Sequence, residues 1–435
     1  MLSANPTTSE LDQTVERTNR TRRTRLADDR DKPRSNGDGN DLHGNVRGLV
    51  ATLLTMTDLR KHRPASTKPP ISGHFHADTR PLTRDHQQAT RMPKRFHPLL
   101  AAALTLALTT PLGAMADQTS DGDRLLSKIA LGGDGGWDYL SFDAQRHHLF
   151  VSRGDRVLVL DAPHAKQIGI IADTQGVHGI ALAQDLKRGF TSDGKAAAVT
   201  VFDLDSLKTI GVIHGTGTNP DAIVYDSASH HVLTFNGKSS NASVIDPAKN
   251  AVIATIALPG KPEFAVSDGA GHVYANIEDK SELVQIDTAN NTVLNTWPLA
   301  PCESPSGLAI DRKHHRLFSV CDNQKMAVLD AANGRLVTTL PIGNGPDAVV
   351  FDDATQMVYS SNGESGNLTV IHEDDPDHFT VKDTITTQVS ARTLALDPST
   401  HRLYLSAAKF GETKQANGRP SIVPGSFTLL VVGQH

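Results

Sequence analysis

The 435-residue chain contains two cysteines, two tryptophans and five tyrosines, and aromatic residues make up 5% of it. It has no G-x-S-x-G nucleophile elbow, no H-E-x-x-H zinc motif, no phosphate-cradling glycine loop and no C-x-x-C-H haem attachment. Long amphipathic helical periods are missing too, which excludes alternating strand–helix folds. These gaps remove the chemistries that short motifs announce. A site assembled from distant strands leaves no short motif and stays open.

Composition shifts along the chain. Residues 1 to 91 carry 16 basic and 11 acidic residues, one Phe and no Trp, Tyr or Cys. Such a segment cannot bury enough apolar surface to offset its ordering entropy, so a disordered basic tail is expected. From Met92, "MPKRFHPLLAAALTLALTTPLGAMADQ" has a basic start (Lys94, Arg95), an apolar run over residues 99 to 112 and the small-x-small triplet Ala114-Met115-Ala116. That is the pattern of a secretory signal peptide cleaved after Ala116, and the run is short of the roughly 20 residues a membrane span needs. A leader starting at residue 92 implies translation from Met92 and an over-extended gene model before it. The competing reading keeps Met1 and a basic tail ahead of a membrane anchor.

Of the formal charge of −5, the tail contributes +5 and the leader +2, leaving −12 on residues 117 to 435. An acidic chain with no basic stripe is a poor nucleic-acid binder. No stretch of the mature part is long and apolar enough to span a membrane, and a monomer is expected.

What the mature part does have is a period. A short apolar run ends in Asp at Asp143, Asp226, Asp268, Asp311, Asp352 and Asp397, with Gln184 filling the gap, at spacings of 41, 42, 42, 43, 41 and 45 residues. A second marker keeps step: "VLVLD" to Asp161, "VTVFD" to Asp203, "ASVID" to Asp246, "LVQID" to Asp287, "MAVLD" to Asp330, "LTVIH" to His372 and "LLVVG" to Gly433. Within each copy four short runs rich in Val, Leu, Ile and Phe alternate with Gly, Asp, Asn and Lys. Four-strand units of about 42 residues predict an all-β, seven-bladed β-propeller. The seventh copy ends after its third strand. "RLLSKIALGG" at residues 124 to 133 is therefore expected to supply the missing outer strand of the last blade and remove the open edges.

The repeats resemble the YVTN-repeat family of exported seven-bladed propellers, with "MVYSSNGESGNLTVI" and "HVLTFNGKSSNASVI" as degenerate forms of its signature segment. The resemblance covers residues 122 to 435. It implies the fold and export, and says little about activity. A WD repeat fits less well, since neither Trp137 nor Trp297 stands at a marker Asp.

The stretch "LAIDRKHHRLFSVCDN" pairs His314 and His315 beside a cysteine. Alignment of the copies puts them in the same turn as His147 and His148, His230 and His231, His272, and His401. Neighbouring blades would hold these apart, so the histidines read as turn residues rather than metal ligands, with the anchor Asp binding backbone within the turn. Folding the same hairpin brings Cys321 beside the segment containing Cys302, predicting a structural disulfide in an oxidising compartment.

Five residues before each anchor, where the inner strand begins, stand Asp138, Gly179 (with His178 one earlier), Asp221, Glu263, Ser306, Asp347 and Arg392. These would ring the channel mouth. Such oxygen donors suit Ca²⁺ or Mg²⁺ or a small polar ligand. The plainer alternative is that "PDA" and "PEF" form repeated turns. An insertion in copy seven, residues 408 to 425, reads as an irregular loop, either a lid that lays Lys409, Lys414 and Arg419 across the mouth or a flexible excursion. The acidic run "IHEDDPDHF" is expected as a solvated turn on the opposite side, with weak cation binding as the alternative. The function expected is a periplasmic or secreted platform binding a protein, glycan or small molecule through its loop-rich face. A metal-assisted lactonase- or lyase-like enzyme at the mouth, with His178 as acid or base, is the alternative.

Overall fold

The computed structural model describes residues 122 to 414, 418 and 420 to 434. The expected tail (1–91), the leader (92–116) and Arg419 lie outside the described residues. Seven four-stranded antiparallel sheets are arranged in a ring, a seven-bladed β-propeller. Blade one comprises Leu140–Asp143, His148–Arg153, Arg156–Asp161 and Lys166–Ile171, from inner to outer strand. Blades two, three and four occupy residues 177–214, 220–257 and 262–298; blade five comprises Pro305–Asp311, Arg316–Cys321, Lys325–Asp330 and Leu336–Pro341, and blade six Pro346–Asp352, Met357–Asn362, Asn367–Asp375 and His378–Thr386.

Blade seven takes Thr393–Asp397, Arg402–Ala407 and Thr428–Gly433 from the C-terminal end, and its outer strand is Arg124–Ala130. That strand pairs antiparallel with Thr428–Gly433, Lys128 opposite Leu430. The ring is therefore closed by hydrogen bonds between its two chain ends. Tyr359 of blade six adds a hydrogen bond from its hydroxyl to Asp123 at 2.7 Å.

Burial explains the strand composition. Second and third strands are buried on both faces, as in "RVLVLD" and "KMAVLD", where the four central residues are all buried. Their runs are continuously apolar because each sheet faces two neighbours. The core is correspondingly divided into seven clusters, one at each blade–blade seam; Leu160, Tyr404 and Phe427 sit between blades one and seven, and Phe318, Val328 and Val358 between five and six. Outer strands alternate and leave Ile168, Ile170, Ile210 and Val212 exposed.

Two local features follow the repeat. The fourth residue after the anchor adopts left-handed backbone in His147, His230, His315, Gln356 and His401, with φ between 54° and 57°. This is the residue that closes a type I turn onto the next strand, a conformation in which His is enriched. In blades one, three and seven the third residue turns its side chain back on the anchor: Arg146 on Asp143 at 3.0 Å, Ser229 on Asp226 at 2.7 Å, Thr400 on Asp397 at 2.7 Å. Cys302 and Cys321 form a disulfide with their Cα atoms 5.6 Å apart, Cys321 lying opposite Pro305 in the blade-five ladder. The copy-seven insertion is not irregular. It folds as a two-stranded hairpin, Phe410–Lys414 with Pro420–Ile422, because apolar Phe410 and Ile422 pair across it. Among the described residues no helix is long and apolar enough to cross a membrane.

Candidate functional site

Each inner strand starts at the same face of the ring, so the residue at its entry is aimed at the axis. Blade one is approached through the glycine-rich segment Gly132–Gly136, which Arg153 anchors from below. Its guanidinium is buried, lies 3.9 Å from the centroid of Phe427 and donates to the carbonyls of Gly133 (3.0 Å) and Gly136 (3.1 Å). Burial lowers the Arg153 pKa to about 10. This clamp sets the position of Trp137, Asp138 and Tyr139. The backbone N–H of Asp138 donates to Ser152 Oγ at 2.9 Å.

Asp138, His178, Asp221, Glu263, Ser306, Asp347 and Arg392 all line one cavity of about 690 Å³. Tyr139 and Phe264 form its floor, their rings 5.0 Å apart across the channel between blades one and four. This cavity forms a cup at the mouth of the channel.

Within the cup the charges fall into linked groups. His178 Nδ1 is 2.6 Å from Asp138 Oδ2 and 3.6 Å from Asp221 Oδ1. Arg392 pairs with Asp347, reaches Asp138 at 3.4 Å and donates to the Trp137 carbonyl at 3.1 Å. Lys261 is held between Glu263 and Glu278. Ser306 points its hydroxyl into the Pro346 carbonyl at 2.8 Å, binding blade five to blade six.

Gly194 makes room for His178: a Cβ there would stand 2.6 Å from Nε2 of the imidazole.

Desolvation dominates the electrostatics. Burial, with Asp138 beside it, pushes Asp221 up to about 6, and burial with Asp221 pushes Glu263 up to about 8. Burial works against the charge on His178, but the hydrogen bond it donates to Asp138 and the field of Asp221 outweigh it and its pKa is raised. Tyr139 is raised well above the ordinary phenol range by burial and by the surrounding carboxylates. Ligand atoms of Asp138, His178 and Asp221 all lie within 4.8 Å of one another, close enough to share one cation. Glu263 and Asp347 stand outside that group.

A second cavity of about 690 Å³ flanks the first, sharing Asp347 and Arg392. It is walled by Trp137, Val389 and the insertion hairpin through Phe410, Pro420 and Ile422. Phe410 stacks on Trp137 with ring centroids 6.3 Å apart. The hairpin therefore presents apolar residues to the mouth's flank, and neither Lys409 nor Lys414 lines either cavity. Lys261, Tyr139 and Phe264 were not anticipated; Lys261 directly precedes the Pro of "KPEF", and Tyr139 and Phe264 each directly follow an entry carboxylate.

On the opposite face, the acidic run of blade six is not wholly solvated. Glu373 is 2% exposed, and its Oε1 lies 2.9 Å from His314 Nδ1. The histidine turns do stay separate from one another, but one of them meets a carboxylate of the next blade.

Comparison with known proteins gives modest likeness in sequence and broad likeness in fold. The uncharacterized protein YncE of Salmonella typhimurium is 26% identical over 212 residues, 47% of this chain and 58% of that protein, and YncE of Salmonella typhi matches to the same extent. The chain therefore covers a little over half the length of these relatives. No protein-family model matches it. Among solved structures, hydrazine synthase of Kuenenia stuttgartiensis aligns with a TM-score of 0.57 at 14% identity, over 68% of this chain and 97% of that one. The U3-55K structure aligns at 0.61 and 11%, over 71% and 99%. At such identities the likeness shows the propeller fold alone.

Proposed function

We propose that the chain is an exported β-propeller of the YVTN-repeat type that acts as a binding platform, taking a small cationic ligand in the cup of its loop-rich face. One observation carries the reading. Every blade contributes a polar side chain to a single cavity, and two of the carboxylates there are raised to about 6 and 8 by burial and mutual repulsion. A carboxylate desolvated next to another is stabilised by any cation that enters, whether ammonium, guanidinium or metal. Binding would then expel protons near neutral pH, since the ligand replaces them. The half-apolar cavity beside it, walled by Trp137 and Phe410, would accept an apolar extension of the same molecule. Export is supported by the leader pattern at residues 92 to 116 and by the paired cysteines.

The experiment is calorimetric titration of the purified chain at pH 7 with a small diamine, Ca²⁺ and Mg²⁺, each in two buffers of different ionisation enthalpy. The proposal expects saturable binding with proton release, lost in Asp221→Asn. No saturable binding by any probe, or binding indifferent to Asp221→Asn, would reject it. A second reading, metal-assisted catalysis with His178 moving a proton, is favoured by the Asp138–His178–Asp221 grouping. Tight binding of one divalent ion, with the diamine excluded, would favour it. Recovery of an exported chain whose mass begins at Asp117 would support the leader.

A further inference from the structure

The repeat itself marks one place where its own rule is broken. The residue after each third-strand marker is buried, and in blades four and six, where it is polar, it reaches the anchor turn of the preceding blade. In blades one to six it is Ala162, Leu204, Pro247, Thr288, Ala331 and Glu373. Five of these are apolar or Thr. Thr288 shows what the slot does: its hydroxyl donates to Asp226 of blade three at 2.8 Å, completing a set of donors from Ser229 and Ser267 around that buried carboxylate.

In blade six the same slot holds a carboxylate aimed at a carboxylate. Asp311 is fully buried and Glu373 is 2% exposed. Asp311 Oδ1 accepts the backbone N–H of Lys313 at 2.8 Å, but among the described residues Oδ2 has no hydrogen-bond donor, and neither does Glu373 Oε2. His314 completes the group, with Nδ1 2.7 Å from Asp311 Oδ2, off hydrogen-bond geometry, and 2.9 Å from Glu373 Oε1. In blades one, three and seven the third residue after the anchor is a donor that neutralises or satisfies the Asp: Arg146, Ser229 and Thr400. Here it is an imidazole between two buried acids. Arg316, the nearby cation, spends its guanidinium on the carbonyls of Pro376 (2.6 Å) and His314 (3.0 Å) and on Asp377.

We propose that Asp311, His314 and Glu373 form a structural site for a divalent first-row transition ion, Zn²⁺ or Mn²⁺, that clamps the blade-five turn to blade six. Ligand atoms from all three lie within 4.8 Å of one another. At metal–ligand distances of 2.0–2.1 Å, tetrahedral ligands stand about 3.3 Å apart, so the 2.7 and 2.9 Å separations of His314 Nδ1 from the two carboxylates need to open by only a few tenths of an ångström. One imidazole with two carboxylates is a donor set suited to these ions; Ca²⁺ prefers six to eight oxygens, which this enclosed group does not supply. The ion would complete the coordination of both orphaned oxygens. Without it, burial and the facing Asp311 push Glu373 up to about 7.

The test uses the purified full chain, stripped with chelator and titrated with Zn²⁺, Mn²⁺ and Ca²⁺, read by metal content and melting temperature. One Zn²⁺ or Mn²⁺ per chain is expected, raising the melt, with Ca²⁺ inert. Glu373→Thr installs the residue blade four uses and so preserves the fold; it is expected to bind the ion more than about 100-fold more weakly. Its melt in chelator should be no lower than wild type. His178→Ala, in the cup on the other face, should leave this ion in place. Retention of the metal by Glu373→Thr, its loss in His178→Ala, or no metal-dependent stabilisation of the wild type would each overturn the proposal.

Discussion

Glu263 stands where ionisation is disfavoured from two sides, by burial and by Asp221. Its folded pKa of about 8 lies above the ordinary 4.5, so the folded chain keeps a proton that the unfolded chain releases between those values. Stability from this group is full below pH 4.5 and falls as pH rises toward 8. Glu263→Gln removes the slope. The variant should melt with wild type at pH 4.5 and above it at pH 8.5, by at least about 1 kcal/mol, since one pKa unit is worth about 1.36 kcal/mol. Lys261 keeps Glu278 as a partner, which limits the side effect of the change. Matching pH profiles for the two chains would show that Glu263 ionises freely.

A second residue-scale prediction concerns Gly194. A methyl at that position meets the His178 ring within 2.7 Å, so the imidazole must swing and release Asp138. Gly194→Ala should weaken cation binding in the cup about tenfold or more while changing stability by less than about 1 kcal/mol, because no core contact is lost. Calorimetric titration beside a thermal melt separates the two effects. An unchanged affinity would take His178 out of the site.

At the scale of the element, blade five is stapled where its inner strand begins. The disulfide links residues 19 apart and ties the entry segment to the end of the second strand, beside the cup residue Ser306. A loop of this length stabilises by roughly 3 kcal/mol in the chain-entropy account. Both cysteines are fully buried, so the Cys302→Ala, Cys321→Ala double variant keeps most of the packing and should lose about that amount in denaturant unfolding. Wild type measured with reductant should show the same loss, and no difference with reductant would mean that the thiols are unpaired in solution.

Elements of this kind are legible in sequence because they repeat. The anchor Asp and the third-strand marker each recur, so strand order, the inner-strand entries and the hairpin carrying Cys321 follow from alignment of the chain with itself. The seam between blades is different. Glu373 meets His314 across 59 residues, and nothing in either segment alone announces the meeting. Once the Thr288–Asp226 contact is known, the odd Glu in an otherwise apolar or Thr slot becomes informative, and only then. Lys261 and Tyr139 were hidden for a related reason. Their roles depend on which neighbour reaches the axis, which side-chain length and desolvation decide. The insertion was misjudged because composition suggested a loop, while Phe410 had an aromatic partner in Trp137, more than 270 residues earlier.

The whole molecule depends on one strand to become a ring. Thr428–Gly433 is covered on one side by Arg402–Ala407 and on the other by Arg124–Ala130, the only strand of blade seven that comes from the other end of the chain. Take it away and the buried run "TLLVVG" becomes an open apolar edge, the template on which strands of other copies add. Leu125 also packs at the seam with blade six, and Leu126 and Ile129 at the seam with blade one, so two inter-blade cores lose cover together. A chain that starts at Gly132 should therefore fail in two ways at once. Its melting temperature should fall by more than the local contacts of a single edge strand would cost, because the ring loses closure entropy as well as packing. Its light-scattering mass should rise with concentration, where the intact chain stays constant. Adding a peptide spanning residues 122 to 131 should reverse both, by refilling the vacant edge. Rescue by the peptide separates loss of closure from simple misfolding; a truncated chain that stays monomeric and melts with wild type would show that the seven seams hold the ring without it.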